Sequence, residues 1–341
     1  MLILSIESSC DECSVAVVKD GKLASDCTLT QTVHREYGGV VPELAGRSHL
    51  ELVDRLAVKA LNEAGVNLSG IDLFAGTVGP GLVGSLLVGA NYARGLAIAL
   101  DKPFRAVHHV EAHLWSAELE AGELPLPFLV LLVSGGHTLL LRVDGLRRYT
   151  VLGRTLDDAL GEAYDKVGKL AGLAFPAGGE VDRLASSGNP RAYDFPRAMD
   201  DGSLNFSFSG LKTAYLYRIK ALPLDVVQND ASDLLASFQA AALDSVVNKV
   251  RRAIRSEEPK AIVAAGGVAA NSRLRFMLTD LANEFHIASH FPSRKLCMDN
   301  AGMIGYLAWK LEQSGITDPA DWPVRPRWPI ESLIQPAGSF S

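Results

Sequence analysis

The sequence predicts an α/β protein built from two related halves, and three observations carry that prediction. Residues 3–20 and 130–144 repeat one pattern: apolar strand, short polar turn, second strand, then Asp-Gly. Strand-like runs alternate with longer helical segments along the rest of the chain. The length of 341 residues, with 48% hydrophobic and 21% charged residues, suits two lobes of ordinary domain size. The expected organisation is an N-terminal lobe over residues 1–125, a C-terminal lobe over 126–320 and a tail over 321–341, with a cleft between the lobes.

Met1 to Glu7 reads as a first strand. It has no basic n-region and no small-residue cleavage site, which argues against a signal peptide and for the cytoplasm. The turn Glu7-Ser8-Ser9-Cys10-Asp11-Glu12-Cys13 follows. Its C-x-x-C lies between strands rather than opening a helix, so two reduced thiols are expected, and four cysteines in all form no disulfide framework. A helix is expected over 43–64, a strand over 72–77, and a long helix from the Gly79-Pro80-Gly81 turn to Leu100. Asn91, Arg94 and several small residues make that apolar run a poor membrane span. Gly81, Ser85, Gly89 and Ala93 recur every four residues, a smooth ridge for close helix packing inside the lobe or against another subunit. A strand over 104–107 leads into a histidine-bearing helix, and residues 118–127 read as the connection between the lobes.

The second lobe opens with the repeated hairpin, whose turn is Ser134-Gly135-Gly136-His137-Thr138. A helix over 156–172 carries Asp165 and Lys166, and residues 175–209 read as loop-rich. Helices over 211–220 and 232–255 precede a buried strand at 261–265. That strand ends in Gly266-Gly267-Val268-Ala269-Ala270-Asn271, before a basic helix from Ser272. The turn suits a bound nucleotide or, equally on spacing, a tight turn with Asn271 as helix N-cap. A strand over 287–291 follows, and Asp299 stands at the junction with a last helix, where by itself it would be an N-cap.

His109 and His113, four apart, share one helical face and can hold one metal ion. A zinc-protease helix reads H-E-x-x-H. Here Glu111 follows His109 by two residues, and about 100° per residue turns it toward the opposite face, so the protease base is missing. His108 and His137 flank the two motifs and are expected to be structural. Hairpin turns rich in Gly and Ser expose backbone N–H groups that can cradle phosphates. The net charge of −6 argues against a chain that grips nucleic acid alone.

These motifs resemble one family, the tRNA adenosine threonylcarbamoyltransferases once misnamed glycoproteases. The matching residues are Ile6 to Glu12, Tyr37 to Glu43, Gly79 to Gly84, His108 to His113, Leu132 to Thr138, Phe206 to Lys212, Gly266 to Asn271 and Asp299-Asn300. Arg325-Pro326-Arg327-Trp328-Pro329 is similar to the tail of bacterial members. The resemblance spans nearly the whole chain in order. It departs at Cys13, where the family usually has Thr, and at Pro176-Ala177-Gly178-Gly179, which replaces a Pro-Gly-Gly-Pro turn.

The resemblance implies the two-lobed, duplicated actin, sugar-kinase and Hsp70-like (ribonuclease H-like) fold. It implies transfer of a threonylcarbamoyl group from threonylcarbamoyl-adenylate to the exocyclic amine of the adenosine next to the anticodon, in tRNAs reading codons that begin with adenine, with release of AMP. His109, His113 and Asp299 would be the metal ligands, and Leu132, Val133, Ser134, Gly135, Gly136, Asp165, Gly178, Asp182 and Asn271 would bind the adenylate, with Gly179 the alternative to Gly178. The cofactor would be one divalent ion, iron(II) first and zinc second. Asp11 and Glu12 are candidates for ordering the amine or taking its proton. The partners implied are tRNA, an inactive paralogous subunit in a heterodimer and an accessory ATPase, and no membrane. The rivals are a metal-dependent peptidase and a kinase or ATPase of the same fold. Kinases of that fold hold magnesium with carboxylates and phosphates rather than imidazoles.

Overall fold

A computed structural model describes residues 1–333 apart from Ala198, Asp200 and Ala320. The chain divides into two compact units, Met1–Glu123 joined by the chain from Lys295 on, and Leu124–Arg294.

The first unit holds strands β1 (Leu2–Glu7), β2 (Glu12–Lys19), β3 (Lys22–Thr30), β4 (Leu73–Gly79) and β5 (Phe104–His108) in the order β3-β2-β1-β4-β5. β1 runs antiparallel to β2 and parallel to β4. Side chains alternate across the sheet, so Leu4 and Ile6 face one side while Ile3 and Ser5 face the other. Helices α1 (Pro42–Ala64) and α2 (Val83–Ala99) cover the first side, where Val53, Leu56, Ala57, Ala93 and Ala97 pack on Leu4, Ile6, Val15 and Val17. Short helices α3 (His109–Trp115) and α4 (Glu118–Ala121) follow β5.

The second unit repeats that plan. Strands β6 (Phe128–Val133), β7 (Thr138–Gly145), β8 (Arg148–Arg154), β9 (Ala261–Ala265) and β10 (Ala288–His290) lie in the order β10-β9-β6-β7-β8. Here β6 runs antiparallel to β7 and parallel to β9. The two sheets therefore share one topology, which is the duplication that the repeated hairpins predict. Each hairpin gains a third antiparallel strand, β3 and β8, that the repeat did not reveal. Between β8 and β9 lie α5 (Leu160–Leu170), α6 (Gly178–Ala185), α7 (Ser209–Ala221), α8 (Leu224–Asn229) and α9 (Ala231–Glu257). The helix α10 (Ser272–Glu284) joins β9 to β10. Leu234, Phe238, Ala242, Val246 and Val250 recur every four residues of α9 and are all buried, which explains why this long helix lies across the core.

Two expectations change. The loop-rich region over 175–209 contains α6, whose start is held by Asp165 accepting from Ala177 N–H at 2.7 Å and whose Asp182 ties it to Ser272 at the head of α10. Residues 295–319, assigned by the sequence to the C-terminal lobe, fold with the first unit. They carry α11 (Arg294–Cys297) and α12 (Ala301–Gln313), and α12 covers the side of the first sheet that α1 and α2 leave bare. Ser5 donates to the Ala301 carbonyl at 2.7 Å, and a side chain at Gly305 would strike Ser5 and Val18. Arg105 of β5 donates to the Ile316 carbonyl at 3.0 Å. The tail joins the same unit: Arg325 N–H bonds the Val78 carbonyl at 2.7 Å and Gly81 N–H bonds the Pro326 carbonyl at 3.1 Å. Of the predicted tail, residues 334–341 lie outside the described residues.

The small-residue ridge of α2 faces inward. Ser85, Gly89 and Ala93 are buried, and a Cβ at Gly89 would land on the Ser8 hydroxyl and Ile6, so internal packing accounts for the spacing. Val83, Leu87 and Ile98 occupy the exposed side of the same helix.

Candidate active site

Two groups of residues bear chemistry, one in each unit. In the first, β5 runs directly into α3. His108 is the N-cap: its Nδ1 accepts from Glu111 N–H at 3.2 Å and its Nε2 donates to the Trp328 carbonyl at 3.0 Å. That confirms the structural part expected of His108. One turn of helix then puts His109 and His113 side by side, with ring centroids 4.8 Å apart and planes at 89°. Glu111 is fully buried and lies outside the group of side chains able to hold an ion, so the peptidase reading gains nothing.

Asp299 completes that group. Its Oδ1 lies 3.0 Å from His113 Nε2 and 3.6 Å from His109 Nε2. Asn300, not Asp299, caps α12, accepting from Met303 N–H at 2.9 Å, which leaves Asp299 to face the imidazoles. The candidate ligand atoms of His109, His113 and Asp299 all lie within 4.8 Å of one another. Two ring nitrogens converging on one carboxylate oxygen fit a divalent ion of the iron or zinc type, and three protein donors leave coordination positions open.

The surroundings are strongly charged. Glu7 is fully buried beside His109. Burial opposes its ionisation, but His109 and the hydrogen bonds from His109 and Ser9 outweigh burial and hold its pKa down. For His109, burial likewise disfavours the cation, yet the Asp299 and Glu7 carboxylates raise its pKa to about 9. Burial, with charged His109 adjacent, keeps His113 below the usual imidazole value. Glu12, at the start of β2, is pushed well above the ordinary carboxylate range by burial and by the Asp299 and Asp11 carboxylates. The structure thus brings Glu12 within electrostatic reach of Asp299. Cys13 is buried and its thiol is raised to about 12 by burial, as befits an inert thiol, and Cys10 and Cys13 are both free.

In the second unit, Leu132 and Val133 end β6, and the turn closes when Ser134 N–H donates to the His137 carbonyl at 2.8 Å and His137 N–H donates to Ser134 Oγ at 3.0 Å. Gly135 and Gly136 form its exposed tip, with open space where side chains would be. Two neighbours need glycine to approach the turn. A Cβ at Gly161 would strike the Ser134 carbonyl, and Gly266, at φ +89°, lies against the Val133 carbonyl. Asn271 caps α10 through Leu274 N–H at 2.8 Å and donates to Gln239 Oε1 at 2.8 Å. Of the two readings left open for Asn271, the cap is observed directly. Asp182 accepts from Ser272 N–H at 2.9 Å, and Asp165 from Ala177 N–H at 2.7 Å. Gly178 and Gly179 begin α6 with open space at both Cβ positions.

Sequence reasoning singled out Glu7 only as part of a motif. The signal that could have found it is a carboxylate closing an otherwise apolar strand, Leu2-Ile3-Leu4-Ser5-Ile6, since a buried acid needs a partner.

Fold and site together define a duplicated α/β protein of the actin, sugar-kinase and Hsp70-like class that carries a histidine–aspartate group suited to a metal. Solved structures of that fold match at 14% identity: the activator of the 2-hydroxyisocaproyl-CoA dehydratase from Clostridium difficile with bound ADPNP, at a TM-score of 0.54 over 94% of this chain and 99% of that one. Full-length HypF in its phosphate- and nucleotide-bound form matches at a TM-score of 0.59 over 93% of this chain and 56% of that one. The family model described as TsaD, tRNA N6-adenosine threonylcarbamoyltransferase, matches residues 22–306. The chain is 47% identical to the tRNA N6-adenosine threonylcarbamoyltransferase of Trichlorobacter lovleyi, over 98% of each chain. It is 48% identical to that of Kosmotoga olearia, over 98% of this chain and all of the other. This chain belongs to the tRNA N6-adenosine threonylcarbamoyltransferase family.

Proposed function

We propose that this chain moves the threonylcarbamoyl group of threonylcarbamoyl-adenylate onto the exocyclic amine of the adenosine next to the anticodon, in tRNAs that read codons beginning with adenine. The observation that carries this reading is the convergence of His109, His113 and Asp299 on one point in a chain of this family. In the reaction the amine nitrogen bonds to the carbamoyl carbon, the bond from that carbon to the phosphate oxygen breaks, AMP leaves with the electron pair, and the amine loses a proton.

The residues divide the work by their chemistry. The Ser134-Gly135-Gly136 turn would hold the donor phosphate through backbone N–H groups. Asp165 and Asp182, already accepting backbone hydrogen bonds, would take ribose hydroxyls on their remaining lone pairs. Asn271, Leu132, Val133 and Gly178 would border the adenylate, with Gly179 offering the same open space. Asp11 or Glu12 would order the incoming amine or accept its proton. His109, His113 and Asp299 would hold one divalent ion, iron(II) in our reading, which supplies Lewis-acid stabilisation of negative charge or anchors the threonine carboxylate.

The net charge of −6 favours partners that contribute to the tRNA grip, an inactive paralogous subunit and an accessory ATPase. For the paralogue we favour the apolar surface of α1 and α2, where Leu50, Val83, Leu87 and Ile98 are exposed. Among the described residues no helix is long and apolar enough to cross a membrane, and four free cysteines accord with the reducing cytoplasm we infer.

The test is transfer of labelled threonine from the adenylate donor to unmodified tRNA, with metal assayed on the same sample. Asp299→Ala is expected to lose the metal and to slow transfer by ~100-fold or more. A variant with metal content and rate intact would end this reading.

A further inference from the structure

We propose that Glu7 is a positioning residue that orients His109 for metal binding, an inference that rests on the metal reading above. Glu7 closes β1 and is completely buried. A buried carboxylate is costly unless its oxygens are satisfied, and here three donors do so. Ser9 N–H reaches Oε1 at 2.6 Å, while the Thr77 hydroxyl at 2.5 Å and His109 Nδ1 at 3.1 Å reach Oε2. Both oxygens already face donors as acceptors, so Nδ1, which meets Oε2 at 3.1 Å and Ser9 Oγ at 3.2 Å, carries the hydrogen.

In the neutral ring that an ion requires, this fixes the tautomer, because Nε2 is then the nitrogen left with a lone pair. Nε2 is the atom 3.6 Å from Asp299 Oδ1, on the far side of the ring from Glu7. Glu7 therefore stands behind the ligand rather than among the ligands. His113 differs, for its Nδ1 is buried with no hydrogen-bond partner among the described residues. Of the two imidazoles, His109 is thus the one locked in rotation and tautomer, and the negative charge behind it strengthens its donor nitrogen. Thr77, delivered by β4 next to β1, keeps the carboxylate aimed at the ring.

The experiment titrates Co²⁺ into the full-length chain and follows its visible absorption, with circular dichroism and thermal melting of the metal-free protein as controls. Glu7→Gln is expected to bind Co²⁺ about 10- to 100-fold more weakly and to shift the saturated spectrum, since the amide cannot accept from both Ser9 and His109 with one oxygen. Thr77→Val, which keeps the carboxylate, should give a smaller loss in the same direction. Glu7→Gln with unchanged affinity and spectrum would overturn the proposal. So would weaker binding with a wild-type spectrum at saturation and a lowered melting temperature, the mark of a packing defect. Failure of the unaltered chain to bind Co²⁺ would instead overturn the metal reading itself.

Discussion

His109 shows how far neighbours can move one side chain. Burial alone would favour the neutral ring, but the Asp299 and Glu7 carboxylates raise its pKa to about 9 in the metal-free chain. An ion must displace that proton, so metal affinity is expected to rise with pH between about 6.5 and 9, with close to one proton released per ion. Titration calorimetry in buffers of different ionisation heat reads that number, and a pH-independent affinity would contradict it. The same shift governs stability without metal. Because the folded pKa lies above the unfolded value of 6.5, the contribution is complete below pH 6.5 and is lost as pH rises through 9. The melting temperature of metal-free protein should fall across that window. The pair His109 and His113 was legible in the sequence from their spacing alone. Their charge state was not, since Glu7 and Asp299 stand 102 and 190 positions from His109 in the chain.

At the scale of elements, α2 separates packing from exposure on one helix. Its small-residue spacing was plain in the sequence, but the direction of the ridge was not, because four-residue periodicity marks a face without saying what covers it. Gly89 lies against Ser8 and Ile6, whereas Gly95 has open space around it. Gly89→Ala should therefore destabilise the protein by about 1–3 kcal/mol through overpacking. Gly95→Ala should stabilise it by about 0.5–1 kcal/mol, because alanine loses less backbone entropy in a helix. Denaturant unfolding of the two variants tests both signs. The strands β3 and β8 escaped the sequence reading for a similar reason. Each follows a hairpin whose two strands already account for the apolar alternation, and Lys22 to Thr30 is largely polar.

For the whole molecule, the shared order of the two sheets is the outcome of duplication, visible first as two hairpins with Asp-Gly endings. Each unit buries a central strand, β1 or β6, between an antiparallel neighbour and a parallel one. The first unit also carries the exposed apolar residues of α1 and α2. Leu50→Asp is expected to abolish association with the proposed paralogous partner while leaving the melting temperature of the chain alone nearly unchanged, since Leu50 is 70% exposed. Sedimentation of the chain, alone and mixed with that partner, measures this, and a mixture that still forms the heterodimer would place the interface elsewhere.

By itself the sequence determined the α/β class, the duplication, most helices and strands, and the helical face shared by His109 and His113. These follow from short-range periodicity and from turn residues, which local physics fixes. Only the tertiary structure decided that residues 295–313 return to the first unit. A sheet with one bare apolar side must be covered, and α12 fits there because Gly305 lets its backbone approach Ser5 and Val18. That return carries Asp299 to the imidazoles. Which unit a helix will cover, and hence which carboxylate meets a histidine pair, depends on packing between segments nearly two hundred residues apart.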